Sequence, residues 1–210
     1  MQKNRLDELL AKVRDGSVLY LCADAGLLRQ VPEITGVSIA YREEVNREKI
    51  LSLGDARLPI RAQYFYKPES AEAEVIGRDE NGDGVFFKRR YGKGCIYFLT
   101  LPLEAYLSTK QGAFFAENPP RYDLIYRELA RAAGIRRAAD SDHPYVRLTE
   151  HAIDEGAMYV AAVNYSNRPA VAHLTIAPGY TVTAVWGEIA EDGTLSLREN
   201  DGAILKLVKK

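Results

Sequence analysis

Tyr91-Gly92-Lys93-Gly94-Cys95-Ile96-Tyr97-Phe98-Leu99-Thr100-Leu101-Pro102-Leu103-Glu104 is the stretch on which the reading of this chain turns. Gly92 and Gly94 can adopt the positive φ that a tight reversal demands. Cys95–Leu101 is a near-continuous apolar run, the pattern of a strand covered on both faces. Upstream, Ala71–Arg90 holds two strand-like runs joined at Asn81-Gly82-Asp83-Gly84, a strong hairpin signal. The stretch therefore predicts a hairpin, a turn and then a buried strand.

Working toward the N-terminus, Leu6, Leu9, Leu10 and Val13 fall at i, i+3, i+4 and i+7, one face of a helix that Gly16 is placed to end. Ser17–Ala23 reads as a short apolar strand. Gly26–Ile34 reads as a helical segment bent near Pro32, and Val37–Tyr41 as a strand. Lys49–Leu53 and Leu58–Tyr66 look extended. Toward the C-terminus, Tyr106–Pro120 reads as a loop carrying the exposed aromatics Phe114 and Phe115. Asn118-Pro119-Pro120 then opens a helix through Tyr122, Ile125, Tyr126, Leu129 and Ala133, closed by Gly134. Such alternation predicts a mostly parallel sheet with helices packed on it. Because the chain leads with a helix, this α/β unit reads as incomplete, its leading strands lying on another segment.

The pattern changes after Ile135. Arg136–Pro144 is polar and reads as a linker. Six short strand-like runs follow: Tyr145–Thr149, Met158–Asn164, Ala170–Ile176, Tyr180–Trp186, Thr194–Leu197 and Ala203–Val208. Turn residues separate them, which predicts a small antiparallel β-sandwich. The fold expectation is thus an α/β domain over residues 1–136 and an all-β domain over 144–210.

Composition bounds function. The 210 residues carry 28 basic and 29 acidic side chains, a net charge of −1, with no basic footprint for a nucleic-acid partner. No run reaches the roughly 18 apolar residues that span a bilayer, so no membrane partner is expected. The N-terminal helix lacks the apolar core of a signal peptide. A soluble protein is expected, cytoplasmic rather than secreted. Cys22 and Cys95 read as buried free thiols, and no zinc spacing exists. No metal or cofactor is expected.

YGKGCIYFLTLPLE, together with Ala73–Ile76, Gly84–Arg90 and the helix ending at Gly134-Ile135, resembles the second domain of multi-domain glycoside hydrolases, above all family-42-type β-galactosidases. The tail resembles their small C-terminal β-domain through Tyr159–Asn167, Trp186-Gly187-Glu188 and Asp201–Leu205. The resemblance implies an incomplete flavodoxin-like or amidotransferase-like three-layer α/β unit followed by a β-sandwich. It implies a non-catalytic role in homo-oligomerisation and packing beside a catalytic (β/α)8 barrel of the same parent protein. The family's catalytic glutamates belong to that barrel, which alone needs roughly 200 residues or more, so no catalytic residue is carried over.

Three functional readings follow. The first is this accessory region, with Tyr106, Phe114 and Phe115 as interface candidates, because aromatic residues are enriched at interfaces. The second is a carbohydrate-binding module stacking sugars on Trp186 and Tyr165. The third is a cysteine-dependent amidohydrolase at Cys22, which ends a strand ahead of a helical segment. Against it, Cys22 lacks flanking glycines, and His143, His151 and His173 all lie in the second half. Glu43-Glu44, Glu72 and Glu74 read as solvated charges, Glu72 and Glu74 sharing a strand face. Gly92-Lys93-Gly94 precedes a strand, so it reads as a turn and not a phosphate loop.

Overall fold

The computed structural model describes residues 3–23, 31–110, 116 and 119–210. The chain divides into two compact units: Met1–Gln111 with Pro120–Ile135, and Gly112–Pro119 with Arg136–Lys210.

The first unit contains α1 (Lys3–Arg14), β1 (Val18–Cys22), α2 (Val31–Thr35), β2 (Val37–Leu53), β3 (Ala56–Ala71), β4 (Glu74–Arg78), β5 (Gly84–Tyr91), β6 (Gly94–Leu99), α3 (Leu103–Thr109) and α4 (Asp123–Ala132). Its six strands form one sheet in the order β1-β6-β5-β4-β2-β3. Among the described strands only β1 and β6 run parallel, with Val18 opposite Cys95 and Cys22 opposite Leu99. The expectation of a mostly parallel sheet is therefore corrected. Links such as Gly54-Asp55 and Gly92-Lys93 are hairpin turns, and a parallel neighbour needs a crossover of a dozen or more residues.

The two glycines of the opening stretch do different work. Gly92 takes φ +64°, as expected of the turn. Gly94 does not; there a Cβ would sit 2.0 Å from the Ser17 carbonyl oxygen and 2.5 Å from that of Val13. Glycine is thus needed for the close approach of the α1–β1 turn to the start of β6.

α1 buries Leu6, Leu10 and Val13 against Ile34 and Ile96, with Leu19 and Leu21 of β1 alongside, while Leu9 sits at its exposed rim. A second cluster holds Leu51, Leu58, Ile60, Phe86, Tyr97, Leu99 and Ile125, with Val18, Tyr20 and Cys22 packed on it. β1 is thus covered on both faces, by apolar side chains of α1 on one and of α4 on the other.

Four further expectations change. β2 and β3 are one long hairpin, longer than the separate runs the sequence suggests; Pro59 and Pro68 are tolerated because β3 is an edge strand. Leu103–Thr109 is helical, so the segment from Tyr106 is not loop throughout. The α4 N-cap is Tyr122, without a side-chain cap, in place of an Asn118-Pro119-Pro120 opening. Of Gly26–Ile34, residues 26–30 lie outside the described residues, and α2 begins at Val31.

The second unit contains β7 (Ala139–Ser141), β8 (Val146–Ala152), β9 (Ala157–Asn164), β10 (Ala170–Ile176), β11 (Tyr180–Trp186), β12 (Thr194–Leu197) and β13 (Gly202–Lys209). They form two antiparallel sheets, β12-β10-β7 and β11-β13-β9-β8, which share one core of Leu148, Val160, Ala172, Leu174, Leu195, Leu205 and Leu207. Buried and exposed residues alternate along β10 and β13, the period-2 signature of one covered face. β7 lies inside the segment read as linker: its three residues pair with β10.

Asn164 organises the turn after β9. Its amide donates to the carbonyls of Arg168 and Arg198, both at 2.8 Å, and its Oδ1 accepts from the Ser166 amide and hydroxyl. All of its hydrogen-bonding capacity is used in full burial, so it belongs to the fold.

Candidate functional site

Chemistry-bearing side chains of the first unit gather at the carboxyl ends of the parallel pair β1 and β6. Tyr20 and Cys22 project from β1 onto the α4 side, and Glu104 lies in the first turn of α3. The Tyr126 hydroxyl of α4 donates to Glu104 Oε1 at 2.9 Å. The Cys22 thiol donates to the Leu101 carbonyl at 3.1 Å. Tyr20 meets Phe86 and Tyr126 edge-on, at 6.4 and 6.3 Å between ring centroids. The Tyr20 hydroxyl and Glu104 Oε2 are both buried without a hydrogen-bond partner.

Burial, then Glu104, pushes the Cys22 thiol up to about 12. Burial, then the neighbouring Cys22 and Glu104, also raises the Tyr20 phenol. A nucleophilic cysteine needs a depressed pKa and a base. Here the thiol is held protonated, and all three histidines belong to the second unit. Both observations argue against the amidohydrolase reading. Cys95 is also a free thiol raised by burial, and both cysteines are half-buried, not fully enclosed.

The sequence-derived interface candidates fare differently. Tyr106 is half-buried on α3, its ring 6.4 Å from that of Tyr122 with the Lys110 ammonium 5.3 Å over its face. Its ring is thus engaged within its own unit. Phe114 and Phe115 lie outside the described residues.

Trp186 and Tyr165 are 57% and 54% exposed. Trp186 sits on the outer face of the four-stranded sheet, in register with Ile204 and, through it, with Ala161. Tyr165 follows β9, four residues beyond Ala161, and its amide donates to the Tyr145 carbonyl. Tyr165 thus lies beyond the end of β9, whereas Trp186 ends β11. Tyr159, 40% exposed and opposite Lys206, lies roughly 12 Å from Trp186 by strand spacing and rise. Its outward position follows from alternation along β9, and the sequence already offers it among the sandwich aromatics able to stack on sugars.

Other charged groups are dispersed. Glu43 and Glu44 lie within β2, opposite Phe65 and Tyr64. Glu74 opens β4, but Glu72 precedes the strand, so the two do not share a strand face as expected. A concavity of about 510 Å³ lies among Glu72, Glu74, Lys88, Arg90, Lys93 and Cys95. Arg89, also on its wall, donates to the Glu33 carbonyl at 2.6 Å. Among the described residues, no group of three or more His, Cys, Asp or Glu is arranged to hold a metal ion, and no helix is long and apolar enough to cross a membrane.

No protein-family model and no curated protein matches the sequence. Solved structures do match the fold. A catalytic variant of Gan42B, a GH42 β-galactosidase from G. stearothermophilus, superposes with a TM-score of 0.63 at 13% identity, over 100% of this chain and 30% of that one. The β-galactosidase of Rahnella sp. R3 gives 0.65 at 14% identity, over 98% and 30%. That of Bacillus circulans sp. alkalophilus gives 0.62 at 11%, over 98% and 31%. The chain therefore has the fold of a part of GH42 β-galactosidases and spans about 30% of their length.

Proposed function

We propose that these 210 residues are a non-catalytic accessory region of a β-galactosidase-like glycoside hydrolase. It packs beside a catalytic (β/α)8 barrel of the same parent protein, helps close the mouth of that barrel's active site and mediates homo-oligomerisation. The carrying observation is the extent of the fold match: it takes in essentially all of this chain and under a third of each β-galactosidase. Among the described residues one strand pair is parallel, whereas a (β/α)8 barrel is built of eight parallel strands, which supports this reading. A glycosidase also needs two carboxyl groups facing one another across a sugar. The setting is soluble and cytoplasmic, and no cofactor enters this role.

The test is hydrolysis of a panel of chromogenic α- and β-glycosides by this chain alone, followed by light scattering. No turnover is expected. Turnover that disappears when a carboxylate of these residues is replaced would overturn the proposal.

The exposure of Trp186 favours a second reading, a carbohydrate-stacking surface on the β11-β13-β9-β8 sheet with Tyr159 beside it. Saturable binding of a soluble polysaccharide, abolished by Trp186→Ala, would establish it.

A further inference from the structure

The outer face of the β11-β13-β9-β8 sheet carries charge of one sign. Across it, one row of the ladder reads His151, Tyr159, Lys206 and Thr183, and the next reads Thr149, Ala161, Ile204 and Trp186. The row beyond joins Arg147 and Val163 to Gly202. The residues between these positions, such as Leu148, Val160 and Leu205, point into the core. No outward position on the four strands is acidic, although acidic side chains outnumber basic ones between Arg136 and Lys210. Glu150, between Thr149 and His151, turns to the other side and accepts from the amides of Ala138 and Ala139. The side chains of Arg147 and Lys206 form no ion pair among the described residues.

The apolar part of the same face is largely aromatic. Trp186 and Ile204 are 57% and 39% exposed, with Tyr159 in the adjoining row. The indole reaches along the sheet: a Cβ on Gly202 would lie 3.8 Å from its Cζ3 and 3.8 Å from Val163 Cγ2. Glycine at 202 thus leaves room for the ring to lean over β13. Lys206 stands directly opposite Tyr159, with about 5 Å between their Cβ atoms. Arg147 lies two strands from Gly202, roughly 10 Å away.

We propose that this face binds an acidic polysaccharide, its sugar rings on Trp186 and Tyr159 and its carboxylates or sulfates at Lys206 and Arg147. The proposal deepens the carbohydrate-stacking reading and rests on it. A sugar ring offers a C–H face to an aromatic ring and keeps its hydroxyls wet. Thr183 and His151, the latter with Nε2 3.1 Å from Thr149 Oγ1, border the aromatic rings with groups that hydrogen-bond hydroxyls. A neutral chain gives neither cation a counter-charge, whereas anionic substituents make charge-assisted hydrogen bonds to both. A protein partner fits less well, because the core of a protein interface is depleted in lysine and Lys206 sits between Tyr159 and Thr183 in the middle of this face.

Calorimetric titration of the 210-residue chain tests this. The probes are polygalacturonate and the same polymer with its carboxyls methyl-esterified. Saturable binding is expected for both at low salt, about tenfold tighter for the acid form, with the difference shrinking as salt is raised. Trp186→Ala is expected to abolish binding of both polymers. Lys206→Ala combined with Arg147→Ala is expected to erase the preference and leave the esterified polymer bound as before. Thermal melts confirm that each variant is folded.

Equal affinity for the two polymers would overturn the inference and leave the stacking reading intact, whereas binding of neither would overturn both. Polyglutamate bound as tightly as polygalacturonate would reduce the face to charge attraction and overturn it as well. So would binding of the acid form that is indifferent to Trp186→Ala. Self-association in sedimentation velocity that Trp186→Ala abolishes would assign the face to a second copy instead.

Discussion

Lys49 and Asp79 form an ion pair 2.8 Å long in which each side chain is 1% exposed. The ammonium also lies 4.3 Å from the centre of the Phe65 ring and 3.4 Å from Glu80. Asp79 Oδ1 meanwhile accepts from the amides of Asn81 and Asp83. One carboxylate thus shapes the β4–β5 turn and ties it to the C-terminal part of β2, where β2 and β4 pair at Ser52 and Arg78.

Breaking this pair from one side leaves a buried charge unmatched. Asp79→Ala is expected to cost about 3–5 kcal/mol in urea unfolding. The double replacement Lys49→Met with Asp79→Leu is expected to cost clearly less, because no charge is stranded. Equal losses in the two proteins would show that the turn geometry, not the ion pair, carries the stability.

The same carboxylate sets an acid dependence. Burial pushes the Asp79 carboxyl up, but the Lys49 hydrogen bond and the amides of Asn81 and Asp83 outweigh it and hold the group below its ordinary value. A depressed folded pKa stabilises fully above the unfolded value of about 3.9, and that stability is lost as pH falls through the folded pKa. Unfolding free energy should therefore drop steeply below pH 4. Asp79→Asn is expected to start lower and show a shallower drop, read by urea titrations between pH 2.5 and 6.

Gly94→Ala should be far more damaging than Gly54→Ala. At Gly94 the new methyl would meet backbone oxygens at 2.0 and 2.5 Å, and the α1–β1 turn would have to move, at about 3 kcal/mol. Gly54 has nothing within 4 Å of a Cβ; only its φ of +57° resists, at about 1 kcal/mol. Thermal melts of the two variants give the order directly.

Cys22 should alkylate slowly. With its thiol pushed up to about 12, the thiolate is a minute fraction at pH 8, and iodoacetamide needs the thiolate. The expected rate is at least about tenfold below that of free cysteine. Labelling at or above the free-cysteine rate would return the nucleophile reading to consideration.

Much of this architecture is local and was legible in the chain. The Asn81–Gly84 signal marks a hairpin because glycine and short polar residues permit its reversal, and β4 and β5 pair across it. β10, β11 and β12 have the limits that alternation and flanking turns predict. β7 is not legible in the sequence because three residues carry no period of their own; pairing with β10 makes them a strand. β3 runs on to Ala71, beyond the Leu58–Tyr66 run, and only its position at the sheet edge tolerates Pro59 and Pro68.

By itself the sequence determined most of the extended segments, the main turns and where the pattern changes from alternating elements to short strands. Side-chain period and backbone permission are properties of a few neighbouring residues. The tertiary structure alone decided that the sheet is mostly antiparallel, and that Glu104 meets Tyr20 and Cys22. It alone decided that β1 and β3 stand at the two edges of the sheet. Those outcomes depend on which distant strands pair and in what register. That choice is made by burial of the whole core and cannot be read from any window of the chain.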